Sequence, residues 1–432
     1  MMTRREIIGA AAAVGGAAVL GQIPGLRSKA FGQQPATEVS SPSGGNYVPV
    51  HTLNGVTLPF NLIDGVKVMH LVAEEVEHEF ATGLKAHCWG YNGRTIGPTI
   101  EVVQGDHLRI YVTNRLPEAT TVHWHGLRIV NGMDGVNGLT QAGIGPGQTF
   151  RYEFTVADAG TFMYHPHLDE MTQQAMGMMG MFIVQPRQPT VAVDRDYVIL
   201  LSEWRIDPGA SRPVTTEMTD FNIFTMNSKV YPATEPLVAK LGERVRIRFG
   251  NLSAMDHHPI HLHGLLPTLT EIDGSAVPES ARHALNTIFV PVGTTRAVEF
   301  VADNPGDWPM HCHMTHHAMN QMGHNVPNLI GVRGATIDKA VQPILPDYMT
   351  MGTNGMDEMN GMSMPAPKDS IPMLGGRGQF GPIDMGGMFT IVKVREKVSG
   401  YEDPGDYAHP AGTVAVAASE EEMRRDGIRV TR

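Results

Sequence analysis

Four pairs of histidines, each with one residue between its members, stand at His123 and His125, His165 and His167, His261 and His263, and His311 and His313. His258 lies just upstream of the third pair, and the fourth encloses Cys312 and is followed by His317 and Met322. Side chains on an extended strand alternate faces, so His311 and His313 point one way and Cys312 the other. One strand can then serve two metal centres, a thiolate site on one face and an imidazole site on the opposite one. A soft thiolate, two imidazoles and a weak thioether make up the ligand set of a blue-copper electron-transfer site. A single such pair would read as ordinary core or surface histidines. Four in order, with the cysteine, read as metal ligands.

The elements that must position these residues repeat along the chain. Gly105-Asp106-His107-Leu108-Arg109-Ile110 is matched by Gly242-Glu243-Arg244-Val245-Arg246-Ile247, and His-Trp-His-Gly at 123 by His-Leu-His-Gly at 261. Gly147-Gln148-Thr149 is matched by Gly293-Thr294-Thr295, and Gly160-Thr161-Phe162 by Gly306-Asp307-Trp308. The offset is 137–138 at the first two landmarks and 146 at the last two. This is two copies of one domain, with a modest insertion in the second. Short alternating strands separated by turn residues, such as 99–103, 108–113, 244–249 and 296–301, predict an all-β fold of two sandwich or barrel domains. His258 follows His167 by only 91 positions. That stretch must hold the end of one copy and the start of the next, so no middle domain fits.

The four motifs resemble those of the multicopper oxidases: HxHG at 123–126, HxH at 165–167, HPxHxHG at 258–264 and HCHxxxHxxxxM at 311–322, with every ligand position filled. The resemblance covers roughly residues 68–335 and implies a cupredoxin-like Greek-key barrel for each repeat, as in the two-domain members. It implies four coppers per chain. The type 1 ligands would be His258, Cys312 and His317, with Met322 axial, and the type 2 copper would take His123 and His261. The type 3 pair would take His125, His165 and His167 with His263, His311 and His313. His317 would be the edge at which an electron donor arrives, and Cys312 the conduit from it. Asp134, in Gly132-Met133-Asp134-Gly135, stands where relatives carry a proton-relaying acid. A second acid that some relatives place just after the type 1 histidine is replaced by Ala318.

The resemblance further implies oxidation of phenols, aromatic amines or cuprous ion, with dioxygen reduced to water. It also implies a homotrimer, because two-domain relatives build each trinuclear cluster between neighbouring chains. Copper nitrite reductases also use two such domains, but they place the cysteine in the first, where this chain has Pro166. The remaining alternative is a copper-binding or scaffold protein without turnover; such relatives lose ligands, and none is lost here. His51, His70, His78, His87, His107, His257, His283, His316, His324 and His409 fall outside the motif register and read as structural or surface residues.

The chain has 432 residues, with 48 Gly, 30 Pro and 18% charged residues, which suits strands and loops better than helices. A formal net charge of −11 argues against nucleic acid as a partner. There are two cysteines, Cys88 and Cys312; with Cys312 on a metal no intrachain disulfide can form, and Cys88 reads as a small buried side chain. Residues 1–32, with Arg4-Arg5 before an Ala/Gly/Val run, read as a twin-arginine export signal, cleaved near Ala30–Gly32. The protein is therefore expected to be periplasmic or secreted. Residues 33–66 read as an N-terminal arm, 67–190 as domain one, 191–335 as domain two and 336–432 as a C-terminal extension. That extension holds Met349, Met351, Met356, Met359, Met362, Met364 and Met373 among polar residues, a soft-ligand run suited to cuprous ion. Its later stretch, 385–394, echoes the closing strand of domain one at 178–184 and is expected to add a strand to a sheet edge.

Overall fold

Alternating strands such as His107–Asn114, whose residues switch between half-buried and buried, have one face to cover. The chain covers them by stacking sheets in pairs, twice over. The computed structural model describes residues 47–189, 191–207, 210–319, 339–341, 343–344, 375–383 and 385–429. All of these belong to one compact unit, 41–432. The export signal, Met322 and the methionine-rich stretch 349–373 lie outside the described residues.

Domain one pairs a sheet ordered Phe60–Ile63, Val66–Ala81, His107–Asn114, Thr149–Thr155, with Leu84–Tyr91 on Val66–Ala81, against a three-stranded sheet of Ile100–Val103, Gly180–Gln185 and Gly160–Tyr164. Domain two repeats the plan. One sheet runs His51–Thr52, Arg195–Trp204, Arg244–Asn251, Thr295–Val301, Thr268–Ile272, Ser275–Ala276, and Ile223–Met226 pairs with Arg195–Trp204. The other runs Leu237–Lys240, Phe389–Arg395, Gly306–Cys312, His258–Leu262, Thr287–Val290. The strands matched in the sequence repeat occupy matching places in both domains. This is the all-β, two-domain architecture expected.

Two boundaries differ from the sequence reading. Phe389–Arg395 is no addition at an edge; it lies between Leu237–Lys240, parallel, and Gly306–Cys312, antiparallel. It is the closing strand of domain two, as Gly180–Gln185 is of domain one, and Met388, Phe389, Val392 and Val394 are buried. Domain two therefore runs past 335, and the methionine-rich stretch is an insertion before its last strand. The physical reason is pairing. Without 389–395, the strand carrying Cys312 would leave one edge of backbone N–H and C=O groups without partners. The described part of the arm is likewise built in: His51–Thr52 pairs with Arg195–Trp204, and Phe60–Ile63 with Val66–Ala81.

The domain-one core gathers Trp124, Tyr152, Phe154, Tyr164 and Phe182, and the domain-two core Phe249, Ile260, Leu262, Met310 and Cys312. A third cluster, including Phe80, Met163, Met181, Val198, Leu200 and Trp204, joins the domains. Beside it lies buried Arg248, whose guanidinium holds Asp196 at 2.8 and 2.9 Å and reaches across to Thr161 at 2.9 Å. Removing one partner of such a pair typically costs about 3–5 kcal/mol, because the other is left charged and buried.

Candidate metal centres

Register decides where the ligands point. His258–Leu262 pairs antiparallel with Gly306–Cys312 so that Ile260 faces Cys312 and His261 faces His311. Directly opposed residues share a face. His258, Ile260 and Cys312 therefore lie on the core side, and His261 and His311 on the other. In domain one, His123 and His165 form the equivalent antiparallel bridge. Trp124, between the two imidazoles of its motif, points the opposite way and is fully buried in the core.

On the core side of domain two, the Nδ1 atoms of His258 and His317 are 3.2 Å apart, and Cys312 Sγ lies 3.8 and 3.5 Å from them. All three residues are buried. Nitrogens this close on two imidazoles, converging with a sulfur, form a ready trigonal N₂S pocket, the donor set that suits copper. Burial lowers the His258 pKa to about 3, aided by neighbouring His317, so the ring is neutral and free to ligate. Burial likewise pushes the metal-free Cys312 thiol up to about 12; a bound cation would reverse that by stabilising the thiolate. His258 Nε2 is tied to Ser253 Oγ at 2.7 Å, which leaves Nδ1 for the metal. The short helix Thr315–Ala318 that carries His317 is clamped by 387–388: Gly387 N–H donates to the Ala318 carbonyl and Met388 N–H to that of His317. Met322, the expected axial ligand, lies outside the described residues.

His317 departs from the expectation of an accessible edge. It is 0% exposed, stacked on Phe224 with ring centroids 4.1 Å apart, and its Nε2 faces Asp256 Oδ2 at 3.4 Å. Asp256 in turn meets Glu203, whose Oε1 accepts from the backbone N–H of Met255 and Asp256. Burial, then the charge of Asp256, pushes the Glu203 carboxyl up, while hydrogen bonding to His317 holds Asp256 down. The two carboxyls are thus pushed in opposite directions, with Asp256, the one favoured in its charged form, next to the imidazole. Asp256 keeps its side chain 23% exposed, so among the described residues it links His317 to solvent. Glu203, Phe224, Asp256 and Ser253 had no signal in the sequence; none has motif spacing, and Glu203 is more than fifty positions away.

The eight remaining motif histidines gather as two sets of four. In domain one, the rings of His123, His125, His165 and His167 contact one another, with His125 Nδ1 3.2 Å from His165 Nε2. In domain two, the rings of His261, His263, His311 and His313 do the same, with the Nε2 atoms of His263 and His311 3.2 Å apart. Backbone carbonyls set the tautomers: His123 Nδ1 donates to Asp134, His165 to Pro166, His261 to Asn286 and His311 to Cys312. That leaves Nε2 of each for a metal. Burial lowers the pKa of His165 to about 3 and also lowers those of His125, His263 and His311. The Asp134 carboxylate is 3.4 Å from His123 Nδ1, beside the imidazole with which the sequence associated it. Glu170, which the sequence reading passed over, is 3.3 Å from His165 Nδ1. Gly264, closing its motif, has φ +64° and sits where a Cβ would lie 2.2 Å from the Trp308 ring, so glycine is required there.

Among the described residues, no ring contact or hydrogen bond joins one set of four to the other. The domain-two set opens instead on a cavity of about 640 Å³ lined by His261, His263, Leu265, Leu266, Asn286 and Asn304. Each domain thus presents its own set of four clustered imidazoles.

Residues 72–189 and 207–331 each match the multicopper oxidase family. Among solved structures, the chain is 32% identical to the multicopper oxidase mgLAC, with a TM-score of 0.54 over 60% of this chain and 82% of that one. The blue copper oxidase of Nitrosomonas europaea gives 30% identity and a TM-score of 0.53 over 60% and 81%. The chain belongs to the multicopper oxidase family. Curated relatives include copper resistance protein A of Escherichia coli, 29% identical over 45% of this chain, and multicopper oxidase MmcO of Mycobacterium tuberculosis, 33% identical over 43%. The chain spans 40% and 43% of the length of these two relatives.

Proposed function

We propose that this multicopper oxidase takes single electrons from a small reduced donor, a phenol, an aromatic amine or cuprous ion, and passes them to dioxygen, forming water. The observation that carries the reading is the strand Gly306–Cys312 with its continuation to His313. It presents a buried thiolate–imidazole pocket on one face and polyhistidine ligands on the other. Copper bound at the first site would supply one-electron exchange, and at the second the multi-electron reduction of dioxygen. The chain's own residues do the rest. The peptide bonds of His311-Cys312-His313 give a covalent path between the two sites. Cys312 and His258 are shut away from water, which protects the thiolate. Asp134, touching His123, holds a carboxylate where protons must be delivered.

The donor's entry is assigned to Asp256 rather than to the edge of His317, since that ring is covered and the carboxylate bridges it to solvent. A negative carboxylate there favours a cationic or proton-releasing donor. Four coppers per chain follow from twelve ligands divided as the motifs imply: His258, Cys312, His317 and Met322 at type 1, His123 and His261 at type 2, and the other six imidazoles at type 3. Among the described residues no ring contact or hydrogen bond joins the two sets within the chain, which supports a cluster completed by a neighbouring chain, in a homotrimer as the resemblance to two-domain members implies. Export through the twin-arginine route places it in the periplasm or outside the cell. Among the described residues no helix is long and apolar enough to cross a membrane.

The test is copper content, visible absorption and oxygen uptake with cuprous ion, a substituted phenol and a bulky amine. Cys312→Ser should abolish the intense blue band and donor oxidation. A variant that stays blue, or a wild-type protein that binds copper and never consumes oxygen, refutes the reading.

A further inference from the structure

We infer that Glu170 is a positioning residue for the domain-one half of the polyhistidine site, holding His165 and His167 in ligating orientation through its carboxylate; this rests on the copper reading above. Glu170 opens the helix Glu170–Ala175, five positions past His165. Its Oε1 lies 3.3 Å from His165 Nδ1 and its Oε2 3.9 Å from His167 Nε2, so the two oxygens are directed at the two imidazoles of one motif. Gln174 Nε2 donates to Oε1 at 2.9 Å and fixes the carboxylate from behind. His165 Nδ1 also donates to the Pro166 carbonyl at 2.8 Å. That carbonyl takes the Nδ1 proton, the Glu170 carboxylate lies beside the same nitrogen at 3.3 Å, and Nε2, 3.2 Å from His125 Nδ1, is left for metal. A carboxylate on the far nitrogen of a ligating imidazole fixes the ring and raises its basicity toward the metal.

The internal repeat sharpens the assignment. His165-Pro166-His167 corresponds to His311-Cys312-His313, and each is followed by a short helix, Glu170–Ala175 in one domain and Thr315–Ala318 in the other. In domain two that helix supplies His317 to the thiolate site. Domain one has no thiolate site, and its helix turns Glu170 toward the imidazole face instead. The place of Glu170 is taken in domain two by exposed His316, so among the described residues this carboxylate support is seen in domain one alone.

The experiment uses the copper-loaded full chain. Wild type, Glu170→Ala, Glu170→Gln and Glu170→Asp are dialysed against graded chelator. Copper per chain, the near-ultraviolet absorption of a bridged copper pair and the blue band are then followed. Loss of such an outer partner typically weakens metal affinity about 10–100-fold. Glu170→Ala should therefore lose trinuclear copper at chelator concentrations lower by about that factor, with the blue band intact. Glu170→Asp should recover part of the retention, and Glu170→Gln, which keeps shape without charge, should recover less. Wild-type copper retention in Glu170→Ala overturns the inference. Should Glu170→Ala also lose the blue band through misfolding, Glu170→Gln decides: retention at the wild-type level overturns the inference, and early loss with the blue band intact supports it. A wild-type protein that holds only the blue copper overturns the copper reading itself, and the inference with it.

Discussion

Glu101 offers a stability test that does not depend on bound metal. It lies in Ile100–Val103 at the junction of the domains and is 5% exposed. Its Oε1 accepts from Val50 N–H at 3.1 Å and from Gln185 Nε2 at 2.9 Å. Burial, reinforced by the charge of Asp196 and opposed by those hydrogen bonds and Arg248, raises its pKa from 4.5 to about 7. The folded state thus holds its proton more tightly than the unfolded chain. The stability this gives is fully present below the unfolded pKa of 4.5 and is lost as pH rises through about 7. A shift of that size is worth about 3 kcal/mol when complete, of which roughly 2–3 kcal/mol is lost between pH 5 and pH 8. Glu101→Gln keeps an oxygen for Val50 N–H and cannot ionise. Its denaturant midpoint, measured on the metal-free chain, should draw ahead of wild type as pH rises, the gap in unfolding free energy widening by about 2–3 kcal/mol. A gap that stays constant within about 0.5 kcal/mol over that range would show that Glu101 ionises in the fold as freely as in the unfolded chain, and the account of the junction would be wrong.

Other expectations follow from the same geometry. Gly135 has φ +86°, and a Cβ there would lie 1.9 Å from the Val122 carbonyl oxygen. Gly135→Ala should cost about 1–3 kcal/mol from the backbone alone and, by shifting Asp134 away from His123, lower oxygen turnover while leaving the blue band unchanged; a fully active, equally stable variant refutes this. Trp124→Ala removes a fully buried ring behind two ligands; it should lower stability by about 3–5 kcal/mol, measured by thermal or denaturant unfolding, and a loss under 1 kcal/mol counts against the core placement. Mixing His125→Ala with His313→Ala chains, then dissociating and reassembling them, should restore part of the oxygen uptake that each lacks. Full activity from monomers at high dilution would contradict clusters shared between chains.

The sequence by itself determined the chemistry and the repeat. Ligand identity resides in residue type and in spacings of two, and strand alternation converts those spacings into faces without any knowledge of the fold. That is why His311 and His313 fall on the face opposite Cys312, while the grouping of Cys312 with His258 and His317 is what the resemblance to the multicopper oxidase motifs implies. Duplicated turn and strand landmarks likewise announced two β domains. What only the tertiary structure decided concerns partners brought together across long chain separations. Phe389–Arg395 follows an insertion, and its echo of 178–184 could not reveal that it lies beside the Cys312 strand, because hydrogen-bond pairing carries no local signature. Glu203 and Asp256 meet His317 through packing of separate strands and loops, and the closure of its edge by Phe224 depends on tertiary contact alone. Glu170 lay beside a recognised motif, yet its helix had to fold before its carboxylate could be seen to face the imidazoles. A local spacing specifies what a residue can bind; which groups surround it is settled only when the sheets stack.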